Sequence, residues 1–352
     1  MMKNKQKIII IGLDGATWTL LKPWAEKGEL PTFQQLMEKG AYGTLMSSIP
    51  CRTGTGVATF YTGKNHCKWG GLDFSSFDPD VVKYETIKEK NPSLWDILGK
   101  FGYKSAILNV PTTHPPTPTQ GVMISGFSVS EEDEYSYPKD FKKNVKGFHS
   151  DRKAMLKLIS GGKTMENETE LFNLFKTSAK GKAELVKNII KDEAFSFSIF
   201  WIDESDSIQH HFWGQEKFIL DFFHEIDNIL KDIIENNPNS NIIVMSDHGF
   251  DARPIYEFYP KSWLKKEGYL RLRGGRVRQW LTQVINSLVV KVPFPYRYRY
   301  IGFFQFMYNK LKNLIDKKVK KENKEINLEN RNWRLKGNPI ESKIIGIDWK
   351  KT

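Results

Sequence analysis

An α/β fold is what this sequence predicts: a doubly wound, largely parallel sheet with helices on both faces and inserted cap segments. Three observations predict it. Short apolar runs rich in β-branched residues recur along the chain, amphipathic stretches separate them, and carboxylates follow several of the runs at once. Near-continuous apolar runs mark strands covered on both faces, and helices between them supply the crossovers that parallel pairing requires.

In chain order, KIIIIGL (7–13) reads as the first strand. The basic start before it can imitate a signal peptide. The apolar run is short, however, an aspartate follows directly, and no small-residue cleavage site follows, so a buried strand is the reading. LPTFQQLMEKG (30–40) has helical periodicity, and VATFYTG (57–63) follows a turn as the start of another helix. SLWDILGKFG (93–102) is helical, and SAILNV (105–110) and GVMISG (121–126) are strands. Residues 127–183 are polar, charged and poor in β-branched runs, and read as an inserted cap. ELVKNIIKD (184–192) and HEIDNILKDIIENN (224–237) are helices, and FSFSIFWI (195–202) and NIIVMS (241–246) are strands. Residues 1–270 therefore form the expected core. Residues 271–340 read as a basic helical insertion. IIGIDWKKT, within 341–352, begins a further core strand on which the chain stops, so a longer natural protein is expected.

The 352 residues are enough to bury a sizeable core, and 39% hydrophobic with 13% aromatic content marks a globular chain. Two cysteines, Cys51 and Cys67, exclude a disulfide framework and a CxxC metal knuckle, and suit a reducing cytoplasm. No run of about 18 apolar residues suggests a membrane span. The net charge of +12 is local: residues 271–340 hold 17 Lys and Arg against 4 acids, so the rest of the chain is close to neutral. A solvated face is the plain explanation of that segment. Recruitment of an anionic substrate, lipid headgroups or nucleic acid is the functional one, although no specific nucleic-acid motif is present. Its aromatic cluster FPYRYRYIGFFQF (294–306) would suit a membrane interface, a lipid-like substrate or a protein contact. Nothing in the sequence sets the oligomeric state.

In open α/β sheets, ligands bind at the carboxyl ends of strands. Asp14 follows the first strand in GLDG. Asp203, Asp206, His210 and His211 follow FSFSIFWI in DESDSIQHH, and Asp247 and His248 follow NIIVMS in SDHGF. Oxygen and imidazole donors without thiolate suit zinc, manganese or iron. Asp206 and His210 are four apart, which puts both on one face of a helix. Singly, each group has a bland explanation, such as a turn residue at Asp14 or a helix N-cap at Asp206; together, three such clusters point to a metal site. The stretch IPCRTGTGVATFYTGKNH (49–66) fails as a phosphate-binding GxxxxGK[ST] loop. Asn65 follows Gly63-Lys64, and Ala58 stands where the first glycine belongs. It fits a hydroxyl nucleophile at a turn into a helix, where N-terminal amides can hold an anion and a metal can lower the hydroxyl pKa.

The order IGLDG, a P-x-x-T turn with TG nine residues after its threonine, SDSIQHHFW and SDHGF resembles the type I phosphodiesterase/nucleotide pyrophosphatase family of the alkaline phosphatase superfamily. The resemblance runs from about residue 6 to 270, is weakest in the cap, and returns in IIGIDWKKT. It implies an alkaline-phosphatase-like fold and two divalent metals about 4 Å apart, zinc first, with manganese or iron as alternatives. One metal would be held by Asp14, Thr53, Asp247 and His248, the other by Asp206 and His210. Thr53 would attack a phosphate-ester small-molecule substrate and form a phospho-enzyme that water then hydrolyses. Sulfatases of the superfamily place a modifiable Cys or Ser nine residues before TG; that place is Thr53, which cannot become formylglycine, and Cys51 is filler.

Two departures stand out. The family supplies the second metal with a further histidine, from a G-x-H motif downstream of the ID-W strand, and this sequence has none there. Gly56 replaces an asparagine found three residues after the nucleophile, leaving Arg52 as a candidate positive charge. The expectation is a cytoplasmic, metal-dependent phosphodiesterase or pyrophosphatase. The rivals are a phosphomonoesterase or phosphoglycerate mutase-like enzyme, and a degenerate basic module that binds membrane or nucleic acid.

Overall fold

The first strand sets the frame. In β1 (Ile8–Leu13), Ile9 and Ile11 are completely buried and Ile10 and Leu13 nearly so. Each such side chain contributes roughly 1.5–3 kcal/mol by leaving water, and the branched Cβ of the isoleucines suits an extended backbone. The computed structural model describes residues 7–69, 71–72, 75–76, 91–127, 129–161, 165–252 and 258–269. They divide between two compact units. The larger spans Met1–Ser76, Asp80–Leu156 and Glu168–Ala252; the smaller includes the short helix Pro260–Lys266. The basic segment 271–340 and the strand expected at 341–352 lie outside the described residues.

The larger unit holds a small ribbon, β2 (Gly71–Leu72) with β3 (Ser75–Ser76), and the main sheet. That sheet contains β1 and five more strands: β4 (Ser105–Val110), β5 (Gly121–Ser125), β6 (Ser136–Tyr137), β7 (Phe197–Ile202) and β8 (Asn241–Met245). Their order is β6-β5-β4-β7-β1-β8, parallel throughout except for β6, which runs against β5. The five strands expected from the sequence are the five parallel ones. β4 and β7 are buried along their whole length, as near-continuous apolar runs require. Strand register fixes where the strands end. Leu13 lies opposite Ile202 and Gly12 opposite both Trp201 and Met245, so β7, β1 and β8 end level with one another.

The helix expected over 30–40 spans Pro31–Lys39, that over 93–102 spans Leu94–Lys100, and that over 224–237 is the end of a longer helix, Glu216–Asn236. The stretch 184–192 closes a helix that begins at Met165. Much of the segment read as a polar cap is therefore helical. On the helix from Met165, the buried Leu171, Phe175, Ala179, Val186 and Ile190 recur at spacings that are mostly four, an apolar stripe on a largely polar helix.

Two elements position the site. The helix Thr53–Thr62 contains two glycines and four threonines, which are poor helix formers, so packing must hold it. Val57, Ala58 and Tyr61 are buried against Trp95, Ile107, Met123 and Trp201, and Gly63 ends the helix in the left-handed conformation at φ 62°. The helix Glu204–Phe212 buries Ile208 and Phe212 and leaves Asp206 and His210 on a more open face.

Gly12 is where strand and core meet most closely: a Cβ there would lie 1.9 Å from the Trp201 ring. Gly12→Ala is expected to cost about 2–3 kcal/mol, by overpacking, in urea unfolding. An unchanged midpoint would mean that Trp201 does not lie against β1.

Candidate active site

The level ends of β1, β7 and β8 deliver the chemistry. Asp14 directly follows β1 and is 1% exposed. Asp247 and His248 follow β8, and Asp206 lies in the first turn of the helix after β7. Single ligand atoms of Asp14, Asp206 and His248 all lie within 4.8 Å of one another, a spacing that one divalent cation can span. Asp206 is thus on the third residue of a helix, not its N-cap, which is Asp203.

Thr53, the first residue of its helix, faces this group. Its hydroxyl donates to Asp14 Oδ1 at 3.1 Å and lies 3.1 Å from His248 Nε2. His248 Nε2 is 3.4 Å from Asp14 Oδ1 and 3.5 Å from Asp247 Oδ2. His210 Nε2 is 3.2 Å from Asp206 Oδ2, and its ring meets Phe250 edge-on with centroids 4.8 Å apart. His211 instead sets Nδ1 2.8 Å from the Ser207 carbonyl and its ring beside Phe175. The six residues singled out in the sequence are thus gathered at one end of the sheet. Asp203 is not with them; it pairs with Lys182.

Hydrogen bonds from residues that the sequence did not single out hold the cluster. The Ser205 hydroxyl donates to the Asp14 carbonyl at 2.7 Å, and Gln209 Nε2 donates to the Gly15 carbonyl at 2.9 Å, tying the helix to the end of β1. Gly15 N–H donates to Asp247 Oδ1 at 3.3 Å, and Ser47 Oγ to the Asp247 carbonyl at 2.6 Å. Two glycines lie in close approach to the cluster. Gly15 has φ +65°, and a Cβ on it would stand 2.7 Å from Asp206 Oδ1. A Cβ on Gly56 would stand 3.0 Å from both Asp247 Cβ and Asp247 O, so the family's asparagine has no room there without moving Asp247.

Electrostatics follow from burying three carboxylates together. Burial pushes the Asp14 carboxyl well above its usual range and the Asp247 charge adds to this, while the His248 hydrogen bond opposes it. Burial raises Asp247 to about 6 against the pull of His248. Burial alone would lower His248, but its bond to Asp14 and the charges of Asp247 and Asp14 raise it to about 10. His210 is raised by its bond to Asp206. Asp206 Oδ1 and Asp247 Oδ2 are buried without a hydrogen-bond partner. Two orphaned carboxylate oxygens and an imidazole among carboxylates fit a divalent cation.

The type I phosphodiesterase / nucleotide pyrophosphatase family model matches residues 8–341, and the chain belongs to that family. No curated protein matches it in sequence. Among solved structures, phosphonoacetate hydrolase from Sinorhizobium meliloti 1021 in complex with phosphonoformate is similar at TM-score 0.52 and 14% identity, over 76% of this chain and 64% of that one. The same hydrolase in complex with phosphonoacetate gives TM-score 0.51 at 14% identity, with the same coverage of 76% and 64%. Human ectonucleotide pyrophosphatase / phosphodiesterase 5 gives TM-score 0.45 at 17% identity, over 69% of this chain and 57% of that one. The chain thus spans a little under two thirds of the length of phosphonoacetate hydrolase. At that identity the likeness is one of fold, and the fold is the expected alkaline-phosphatase-like one: mostly parallel strands with helices around them.

A cation entering this cluster must displace protons, chiefly the one that keeps His248 charged at neutral pH. The sign is fixed: loss of an imidazolium proton becomes easier as pH rises. Zinc affinity measured by calorimetry is expected to rise roughly tenfold per unit between pH 6 and 8, with heats that depend on the buffer. A pH-independent affinity would place the ion elsewhere.

Proposed function

We propose that this member of the family is a metal-dependent phosphodiesterase or pyrophosphatase-type hydrolase with Thr53 as nucleophile. One observation carries the proposal: the Thr53 hydroxyl, at a helix N-terminus, lies 3.1 Å from both Asp14 and His248 inside a cluster suited to divalent cations. Asp14, Thr53, Asp247 and His248 would hold one ion, and Asp206 and His210 the other. Their oxygen and nitrogen donors favour zinc, with manganese or iron as alternatives. When bound, such ions polarise the phosphoryl oxygens and neutralise charge on the attacking and leaving oxygens.

The chain's own groups set the rest. Asp14 Oδ1 accepts the hydrogen bond that orients the Thr53 hydroxyl. Thr53 Oγ1 gives its proton to Asp14 Oδ1 and attacks phosphorus in line; the bond from phosphorus to the ester oxygen breaks, and that oxygen takes a proton from water and departs as an alcohol or phosphate. A phosphothreonine remains, and attack by water on its phosphorus restores the threonine and releases the second product. Because Gly56 faces Asp247 where the asparagine would stand, nucleotide specificity is not part of the proposal. The exposed thiols Cys51 and Cys67 support a reducing, cytoplasmic setting. The basic segment 271–340 is proposed to contact an anionic partner.

Thr53→Ala is expected to lower turnover of bis-p-nitrophenyl phosphate by at least about 10³-fold. Its thermal midpoint should barely move, since Thr53 is only partly buried. Wild-type turnover would overturn the nucleophile. Preference for p-nitrophenyl phosphate over the diester would indicate a phosphomonoesterase or phosphoglycerate mutase-like enzyme. Salt-dependent binding without turnover under any metal would indicate a binding module. In native mass spectrometry after zinc loading, Asp206→Asn is expected to lose one ion relative to wild type; an unchanged count would remove Asp206 from the ligand set.

A further inference from the structure

A buried ionic triad lies at the start of the helix that carries Asp206 and His210. Lys182, from the helix Met165–Lys191, sets its ammonium 3.0 Å from Asp203 Oδ1 and 2.7 Å from Glu204 Oε1, and the three side chains are only 9%, 15% and 3% exposed. The triad is anchored on both sides. Asn109 Nδ2, at the end of β4, donates to Asp203 Oδ1 at 2.7 Å and to the Trp201 carbonyl at 2.8 Å. Ser178 Oγ donates to Glu204 Oε1 at 2.8 Å. Asp203 and Glu204 are the N-cap and first residue of Glu204–Phe212, so the ammonium grips the helix at its first turn, where Asp206 also lies.

Buried ion pairs are poor stabilisers compared with apolar packing of the same volume, and their better-attested use is to specify one arrangement. One arrangement is what Asp206 needs. Its Oδ1 is buried without a hydrogen-bond partner and fits beside Gly15 only because Gly15 has no Cβ. Ser205 and Gln209 tie the helix to β1 on one side. Lys182 is the charged tie from the other elements.

We propose that Lys182 is a positioning residue for the cation site of Asp206 and His210, acting through Asp203 and Glu204 on the first turn of their helix. The proposal rests on the assignment of Asp206 as a metal ligand. Zinc binding by the full chain, followed by calorimetry, tests both and tells them apart. Asp206→Asn identifies the binding event that depends on that carboxylate. Lys182→Met is expected to weaken that same event by about 10–100-fold, the range for residues that orient metal ligands, and to leave any other event within about twofold. Lys182→Arg should recover most of the loss, which a merely space-filling lysine would not require. Where Lys182→Met does not fold, Glu204→Gln keeps the side-chain volume and the Asp203 pair, and is expected to weaken the event several-fold. No change in that event in either variant, or equal losses at every event, overturns the positioning role. Binding that Asp206→Asn leaves intact overturns the ligand assignment instead, and the positioning role with it.

Discussion

The structure depends on the parallel, in-register pairing of β7, β1 and β8. Parallel strands cannot be joined by tight turns, so helices follow β1 and β7 before the chain returns to the sheet. The carboxyl ends of the three strands then fall on one side of the sheet at one height. Residues far apart in the sequence, at 14, 206 and 247, meet there without any local motif bringing them together. A one-residue slip of β1 against either neighbour would send Asp14 to the opposite face and dissolve the cluster. The apolar burial of Ile9, Ile11, Ile199 and Trp201 is what makes such a slip costly.

That geometry creates an electrostatic problem which the local chemistry must balance. Three carboxylates share one small volume, and burial opposes the ionisation of Asp14 and Asp247. Part of the compensation is protein-derived: His248 stands between Asp14 and Asp247, and His210 beside Asp206. The same positions are those from which nitrogen and oxygen atoms would hold cations. The raised His248 and His210 imidazoles mark where positive charge is favoured, and Asp206 Oδ1 and Asp247 Oδ2, which accept no hydrogen bond, mark two further places for it. Asp203 has a different solution. Burial would raise it, but the Lys182 ion pair holds it down near 2, so its charge is matched within the protein and it is a partner of Lys182, not one of the clustered carboxylates.

Much of this was legible in the sequence because two periodicities are local. Apolar β-branched runs announced all five parallel strands to within about two residues, and the i, i+4 spacing placed Asp206 and His210 on one helical face. The helix from Met165 was under-read because its apolar stripe is narrow and its other faces are polar, so the segment looked like a loop-rich cap. Lys182 carried no signal at all, since one lysine on a charged helix looks like any solvated residue.

The sequence by itself determined the α/β class, the strands and the residue types of the site. Those follow from side-chain chemistry and from spacings of two to four residues along one chain. Only the tertiary structure decided which carboxylates share the site. Asp203 and Asp206 are three residues apart on the same turn, yet one faces Lys182 and the other approaches Asp14. Only the fold could decide why Gly15 is glycine and why Gly56 is crowded, because in each case the added atom would meet a residue from a distant element. Such choices depend on strand register and helix orientation, which are set by packing summed over the whole core.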